Sequence, residues 1–153
     1  MPQRADAGWH GEPQGENRVT VRARRYQTLG PIRRHVAERW LASDEPGRVM
    51  YALLRLSLNG PDFEYAERMA LEHAFHPDVW VRRNAATALS HVARLHGSID
   101  LDRVMRTLLS LMEDPEVTDW ADYSLDELEI YMSTDRHLYM ATSGDVPLRH
   151  AAP

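Results

Sequence analysis

The stretch that decides the fold is residues 77–89, which read PDVWVRRNAATAL. Apolar and small side chains recur there every three or four residues, which places them on one side of a helix. The apolar side is formed by Val81, Ala85, Ala88, Leu89 and Val92, and the polar side by Arg83, Thr87, His91 and Arg94. Pro77 suits a first helical turn and Gly97 suits a helix end. We therefore predict an amphipathic helix between these two residues.

Five further helices follow from the same pattern and from the Gly and Pro residues between them, over residues 31–41, 46–58, 61–75, 101–112 and 115–132. The six helices pair into three hairpins, whose second helices begin near Pro46, Pro77 and Pro115. A shift of 39 residues lays four positions of one second helix onto the next: Val81, Ala85, Leu89 and Val92 onto Trp120, Ser124, Leu128 and Tyr131. Such a repeat is typical of an α-solenoid, in which hairpins stack to bury their apolar faces.

The same stretch resembles the second helix of a HEAT repeat: an Asp-containing turn, then Val-Arg, then small residues, then Ala-Leu. The likeness is most specific over residues 61–97 and weaker in the other two hairpins. It implies an all-α fold, a short α-solenoid of about three HEAT-like hairpins. In that family the Arg commonly pairs with the Asp of an adjacent repeat, and Arg82 and Asp78 stand at those positions. We expect a repeat domain over residues 29–132, a disordered or loosely packed basic arm over 1–28, and a flexible C-terminal tail over 133–153.

The last predicted helix is strongly acidic, with eight acids and no base between Glu113 and Met132. Four of the acids are three, four and three residues apart and form one stripe: Asp119, Asp122, Asp126 and Glu129. Like charges at these spacings cost about 0.2–0.5 kcal/mol per pair. The stripe is either a solvated face or a docking surface for a cationic partner.

Three other side chains extend this predicted docking surface. Tyr123 lies among the acids, and tyrosine is favoured at binding hot spots. Trp80 is either a core or junction residue or an exposed binding anchor. Arg83 joins the same surface if the second helices of the hairpins line one face. We predict that these three residues and the acidic stripe bind the partner.

The charge is divided unevenly along the chain. Residues 1–40 contain eight Arg and four acids, a balance of +4, whereas residues 41–153 contain ten Arg and nineteen acids, a balance of −9. Phosphates repel carboxylates, so the acidic region disfavours nucleic acid and favours a basic protein partner. The arginine-rich arm has two interpretations: it contacts nucleic acid, or it folds against the acidic helix and screens it.

Several classes of function lack their usual signals. The chain has no cysteine, which excludes disulfides and thiolate chemistry. The pairs His73/His76 and His91/His96 do not have metal-ligand spacing, so we expect no metal and no other cofactor. No nucleophile motif or phosphate-binding loop is present, and we expect a protein that is not an enzyme. The N-terminus lacks the apolar core of a signal peptide, and no stretch is long enough to span a membrane, which favours a cytoplasmic protein.

Short bacterial HEAT-like proteins include immunity proteins of toxin systems, and EDPEV at residues 113–117, followed by the acid-rich helix, resembles such proteins. The resemblance implies a non-catalytic, immunity-type inhibitor. It would neutralise a basic toxin, such as a nuclease, by occluding it with the acidic helical surface. The alternative is a HEAT-like scaffold or adaptor that recognises another protein without inhibiting it. A third hypothesis is an enzyme or enzyme-associated lyase of HEAT form.

Overall fold

The computed structural model describes residues 29–144, so the predicted basic arm and residues 145–153 lie outside it. This part of the chain forms seven α-helices and no strand. They are α1 (Arg34–Leu41), α2 (Pro46–Asn59), α3 (Phe63–His73), α4 (Val79–His96), α5 (Leu101–Leu111), α6 (Thr118–Tyr131) and α7 (Arg136–Thr142). The all-α prediction is confirmed, and the first six helices correspond to those expected from the sequence. No helix within residues 29–144 has the length and apolar character needed to cross a membrane.

Local side chains explain where several helices begin and end. Aspartate side chains accept hydrogen bonds from first-turn amides of α3, α4, α5 and α7, and these caps are Asp62, Asp78, Asp100 and Asp135. Gly97 ends α4 in the left-handed region, with φ 61°. Pro77 precedes the N-cap of α4, so the prediction that it lies in the first turn was wrong. The reason is that Asp78 takes the capping position.

The helix predicted from residues 77–89 is the centre of the packing. α4 contacts α2, α3 and α6, while α1 packs on α2 and α5 packs on α6. The main hydrophobic cluster includes fully buried side chains of five helices, α2 to α6, among them Val49, Leu89, Leu108 and Leu125. The alanines of α4 are also fully buried, and their small size lets neighbouring helices approach closely.

α4 and α6 lie side by side and run in the same direction. Three contacts advance together along both helices: Arg83 with Trp120, Ala86 with Ser124, and Arg94 with Glu127. The buried Ser124 hydroxyl donates to the Ala86 carbonyl over 3.0 Å, so its burial leaves no polar group unpaired. The outward faces of α4 and α6 therefore belong to one surface.

Part of the segment predicted as a tail is helical. After α6, Ser133 adopts a φ of 50°, in the left-handed region that side chains other than glycine rarely enter. α7 follows and returns against α6 and α5. It has no buried residue, although Tyr139 packs partly against the main cluster. The order at residues 136–142 thus depends on contacts with other helices.

Candidate protein-binding surface

α6 positions the predicted site residues because its buried side is fixed by the core. Ala121, Ser124, Leu125 and Leu128 are fully buried. Two groups among the remaining side chains concern the predicted binding surface. One is the acidic stripe predicted from the sequence, Asp119, Asp122, Asp126 and Glu129. The other adjoins α4 and consists of Trp120, Tyr123 and Glu127.

Three carboxylates of the acidic stripe converge on Arg136 at the start of α7. The guanidinium donates from Nη1 to Asp122 Oδ1 over 2.6 Å and from Nε to Glu129 Oε1 over 2.8 Å, and Nη2 bonds to Asp126. The Arg136 backbone amide also donates to Glu129 Oε1, over 2.8 Å. The side-chain hydrogen bond from Arg136 lowers the pKa of Glu129. Burial acts to lower the pKa of Arg136, but its bonds to the carboxylates outweigh that and raise it.

This arrangement changes the electrostatics expected of the stripe. The α6 sequence contains no base to offset its acids, but α7 supplies one. Three carboxylates and one guanidinium leave a local charge of about −2. Asp119 makes no ion pair within residues 29–144. One interpretation of the sequence was that the N-terminal arm screens the acidic helix, but that arm lies outside the described residues. The cation that pairs with the stripe is Arg136, on the C-terminal side of α6.

A second polar contact fastens α7 to α5. The Tyr139 hydroxyl donates to Asp102 Oδ1 over 2.5 Å. Asp102 also accepts from Arg106 Nε over 2.9 Å. The hydrogen bonds from Arg106 and then Tyr139 lower the pKa of the Asp102 carboxyl. α7 is therefore attached at its first turn through the Arg136 guanidinium and at its second turn through the Tyr139 hydroxyl, in both cases to carboxylates.

Asp78 and Arg82, the residues assigned by the HEAT resemblance, have separate partners. Asp78 caps α4 through Oδ1, which accepts from the amides of Trp80 and Val81. Arg82 Nε donates to Asp114 Oδ2 over 3.0 Å, in the turn between α5 and α6. Its Nη1 donates to the backbone carbonyls of residues 76 and 77. Arg82 thus links the turn before α4 to the turn before α6.

Two indoles and one guanidinium form a partly exposed cluster where α4 and α6 begin. The rings of Trp80 and Trp120 meet edge to face, with centroids 6.5 Å apart. The Arg83 guanidinium lies 4.6 Å from the Trp80 centroid and 4.0 Å from the Trp120 centroid. Arg83 Nε also donates to the Glu116 carbonyl over 2.7 Å, which fixes the cation between the rings. Trp80 remains 52% exposed.

Tyr123 continues this cluster along α6. It is 59% exposed, and its hydroxyl donates to Glu127 Oε1 over 3.3 Å. The Glu127 carboxylate raises the pKa of Tyr123, so the phenol stays protonated. Glu127 also pairs with Arg94 on α4, at 3.6 Å. We call Trp80, Arg83, Trp120 and Tyr123 the aromatic platform.

His91 adds no positive charge to this side of α4. Burial and, to a smaller extent, the charge of Arg94 lower its pKa to about 4. The ring is therefore neutral at pH 7, with Nδ1 3.5 Å from the Ser57 hydroxyl. Within residues 29–144 no three His, Asp or Glu side chains are grouped as ligands for a metal ion.

Sequence reasoning missed two residues of this region. Trp120 was not predicted as a binding residue; it packs partly against the main cluster at the α4–α6 junction and also meets Trp80. Trp80 and Trp120 are separated by close to the 39-residue repeat, and this spacing could have predicted that their rings meet. Arg136 lay in the predicted tail, and the available signal was that it is the first Arg after a run of nine acids.

Comparisons with known proteins place this surface in context. No protein-family model matches the sequence, and no curated protein matches it. Among solved structures, the chain is similar to a chain in the crystal structure of a CDI complex from Cupriavidus taiwanensis LMG 19424. The TM-score is 0.64 and the sequence identity is 30%, over 70% of this chain and 96% of that chain.

The fold and the surface define a small all-α protein with a partly neutralised acidic stripe beside an exposed aromatic platform. The similarity spans nearly the whole of the matched chain. A sequence identity of 30% over that length indicates common descent and not only a similar helix packing. The chain belongs to the same family as that component of the CDI complex.

Proposed function

We propose that this protein is a CDI immunity protein, which binds a toxin domain and neutralises it without catalysing a reaction. The observation that supports this most directly is the 30% identity over 96% of a chain found in a CDI complex. In a toxin–immunity pair the immunity component must recognise the toxin before it damages its own cell. We accordingly propose a cytoplasmic site of action.

The proposed architecture is a short HEAT-like array of three hairpins, α1–α2, α3–α4 and α5–α6. Packing of α4 between α2 and α6 supports this interpretation, as does the bond from Arg82 to Asp114 of the following hairpin. Stacked hairpins present their second helices on one continuous face. That face would contain the predicted partner-binding residues on α4 and α6.

The charge of the folded part supports a basic partner. Residues 29–144 contain twelve Arg and nineteen acids, a balance of −7. A toxin that acts on nucleic acid needs Arg and Lys for phosphate, and those cations would be attracted to this protein. We propose that binding occludes such a cationic site. The partner-binding residues would be those predicted from the sequence: Asp119, Asp122, Tyr123, Asp126, Glu129, Trp80 and Arg83.

The proposal can be tested by asking whether this chain protects bacterial cells from the toxin. The toxin domain encoded beside this gene is expressed from an inducible promoter in a bacterial host, with and without this chain. We expect growth arrest without the chain, normal growth with it, and a stable complex of the two purified proteins. A matched control is Leu125→Asp, which places a charge in the fully buried core and should abolish protection.

Two results would contradict the proposal. One is growth arrest that persists although the wild-type chain is expressed and folded. The other is a stable complex that leaves the toxin fully active, which would indicate a scaffold or adaptor instead.

A further inference from the structure

We propose that the aromatic platform anchors the toxin, while the acidic stripe steers its approach without holding it. This inference rests on the proposed function and divides one predicted surface into two parts with different kinetic roles. It predicts that changes in the platform accelerate dissociation and that changes in the stripe slow association.

The platform has the features of a binding anchor. Trp, Tyr and Arg are the side chains most enriched at hot spots. Here Arg83 is already fixed by two indoles and by the Glu116 carbonyl. A partner that packs on these rings therefore immobilises few free side chains and loses little conformational entropy.

The acidic stripe lacks these features because Arg136 already occupies three of its carboxylates. A partner cation that displaced Arg136 would exchange one set of ion pairs for a similar set. It would also lose its own hydration, so the net gain in affinity is small. The four carboxylates of the stripe and Arg136 leave a charge of about −3, which still attracts cations over a Debye length of roughly 8 Å at physiological ionic strength.

Charge complementarity identifies the occupant of the platform as a basic protein surface. The charge beside the platform that favours a basic occupant comes from Glu116 and from the adjoining acidic stripe, because Glu127 is paired with Arg94 and is only 17% exposed. Glu116 also contacts Arg82, but its side chain remains 65% exposed. A second copy of this chain would bring another net −7 over residues 29–144 and would be repelled.

The experiment measures association and dissociation rates of the toxin domain encoded beside this gene, by surface plasmon resonance at two salt concentrations. Trp80→Ala and Tyr123→Ala should each raise the dissociation rate about 30-fold, which corresponds to a hot-spot loss of roughly 2 kcal/mol. Their association rates should change less than about threefold. Tyr123→Phe keeps the ring and should stay close to wild type.

The double variant Asp122→Asn/Asp126→Asn should show the opposite behaviour. Its association rate should fall several-fold at low salt and approach that of wild type at high salt, with dissociation almost unchanged. Tyr51→Ala is the matched control for loss of an exposed ring. That tyrosine is 53% exposed on α2 and should leave both rates unchanged. Thermal unfolding of every variant verifies that it is folded.

The remaining outcomes distinguish failure of the anchor from failure of the proposed function. If wild type binds and protects but the platform variants dissociate at the wild-type rate, the anchor is elsewhere and the proposed function stands. Wild type that neither binds nor protects would remove the function and the anchor together. Sedimentation that shows a wild-type dimer, dissociated by Trp80→Ala, would assign the platform to self-association and overturn the anchor.

Discussion

α4 and α7 both pack against α6, but through different interactions. The α4–α6 junction buries apolar side chains in the main cluster and adds one buried hydroxyl bond between Ser124 and Ala86. The α6–α7 junction contains no buried α7 residue and depends on Arg136 with its three carboxylates. Apolar burial is insensitive to salt, whereas partly exposed ion pairs are screened by it.

This difference indicates that α7 can separate from α6 without unfolding the rest of the protein. Local opening occurs where few apolar contacts are buried. The α4–α6 junction has many such contacts and should open only with the whole domain. The two junctions therefore predict different responses to mutation, salt and pH.

The largest effect should come from the α4–α6 junction. Leu125→Ala removes a fully buried side chain from the main cluster and should lower the free energy of unfolding by about 3 kcal/mol. Leu138→Ala removes a leucine of α7 that is 64% exposed and should change it by less than about 0.5 kcal/mol. Urea denaturation followed by circular dichroism measures both. Similar losses in the two variants would show that α7 belongs to the cooperative core.

Arg82 should have the next largest effect. Its guanidinium joins Asp114 to the carbonyls of residues 76 and 77, and its side chain is only 15% exposed. Arg82→Ala leaves these acceptors without a donor and should cost about 2 kcal/mol of unfolding free energy. Arg82→Lys should recover little, because one ammonium cannot reproduce the planar geometry. A lysine variant as stable as wild type would show that charge alone is needed.

The same contrast explains what could be predicted from the sequence. α4 and α6 follow from apolar periodicity, since their burial is encoded by local spacing. The acidic stripe was located correctly on α6 for the same reason. Its neutralisation was not predicted, because the compensating charge comes from Arg136, beyond a turn that no local signal marks. α7 spans only Arg136–Thr142, too short for periodicity to distinguish it from a tail.

The aromatic platform shows a similar limit. Each of its residues stands on a helix that the sequence predicted, and three were proposed as binding residues. Which of them meet depends on the offset between α4 and α6, and this offset is set by packing. Sequence spacing alone therefore did not place Arg83 between two indoles.

A smaller effect is expected at the α6–α7 junction. Arg136→Met leaves three carboxylates on one helical stripe without their cation and should cost about 1 kcal/mol at low salt. The loss should shrink in 1 M NaCl, where the carboxylates are screened. α7 should also become more susceptible to chymotrypsin, which cleaves after aromatic residues such as Tyr139. Arg39→Met, at an exposed arginine on α1, is the control and should change neither property. A loss of stability independent of salt would point to packing by the Arg136 stem.

The smallest effect concerns pH and tests whether charge holds α7. Arg136 lowers the pKa of Glu129 below its ordinary value of 4.5, so the folded state favours the ionised form. A carboxyl with a lowered folded pKa stabilises the protein above its unfolded pKa, and this stabilisation is lost as pH falls through the folded value. At pH 7, Glu129→Gln should therefore be less stable than wild type by a few tenths of a kcal/mol. The difference should shrink as pH falls through the folded pKa of Glu129, which lies below 4.5, and urea unfolding curves recorded directly at each pH measure it. Glu113→Gln, at an acid without an ion pair in residues 29–144, is the matched control and should be as stable as wild type at pH 7. If the difference in unfolding free energy between wild type and Glu129→Gln persists at acidic pH, then packing of the side chain, rather than its charge, holds α7 against α6.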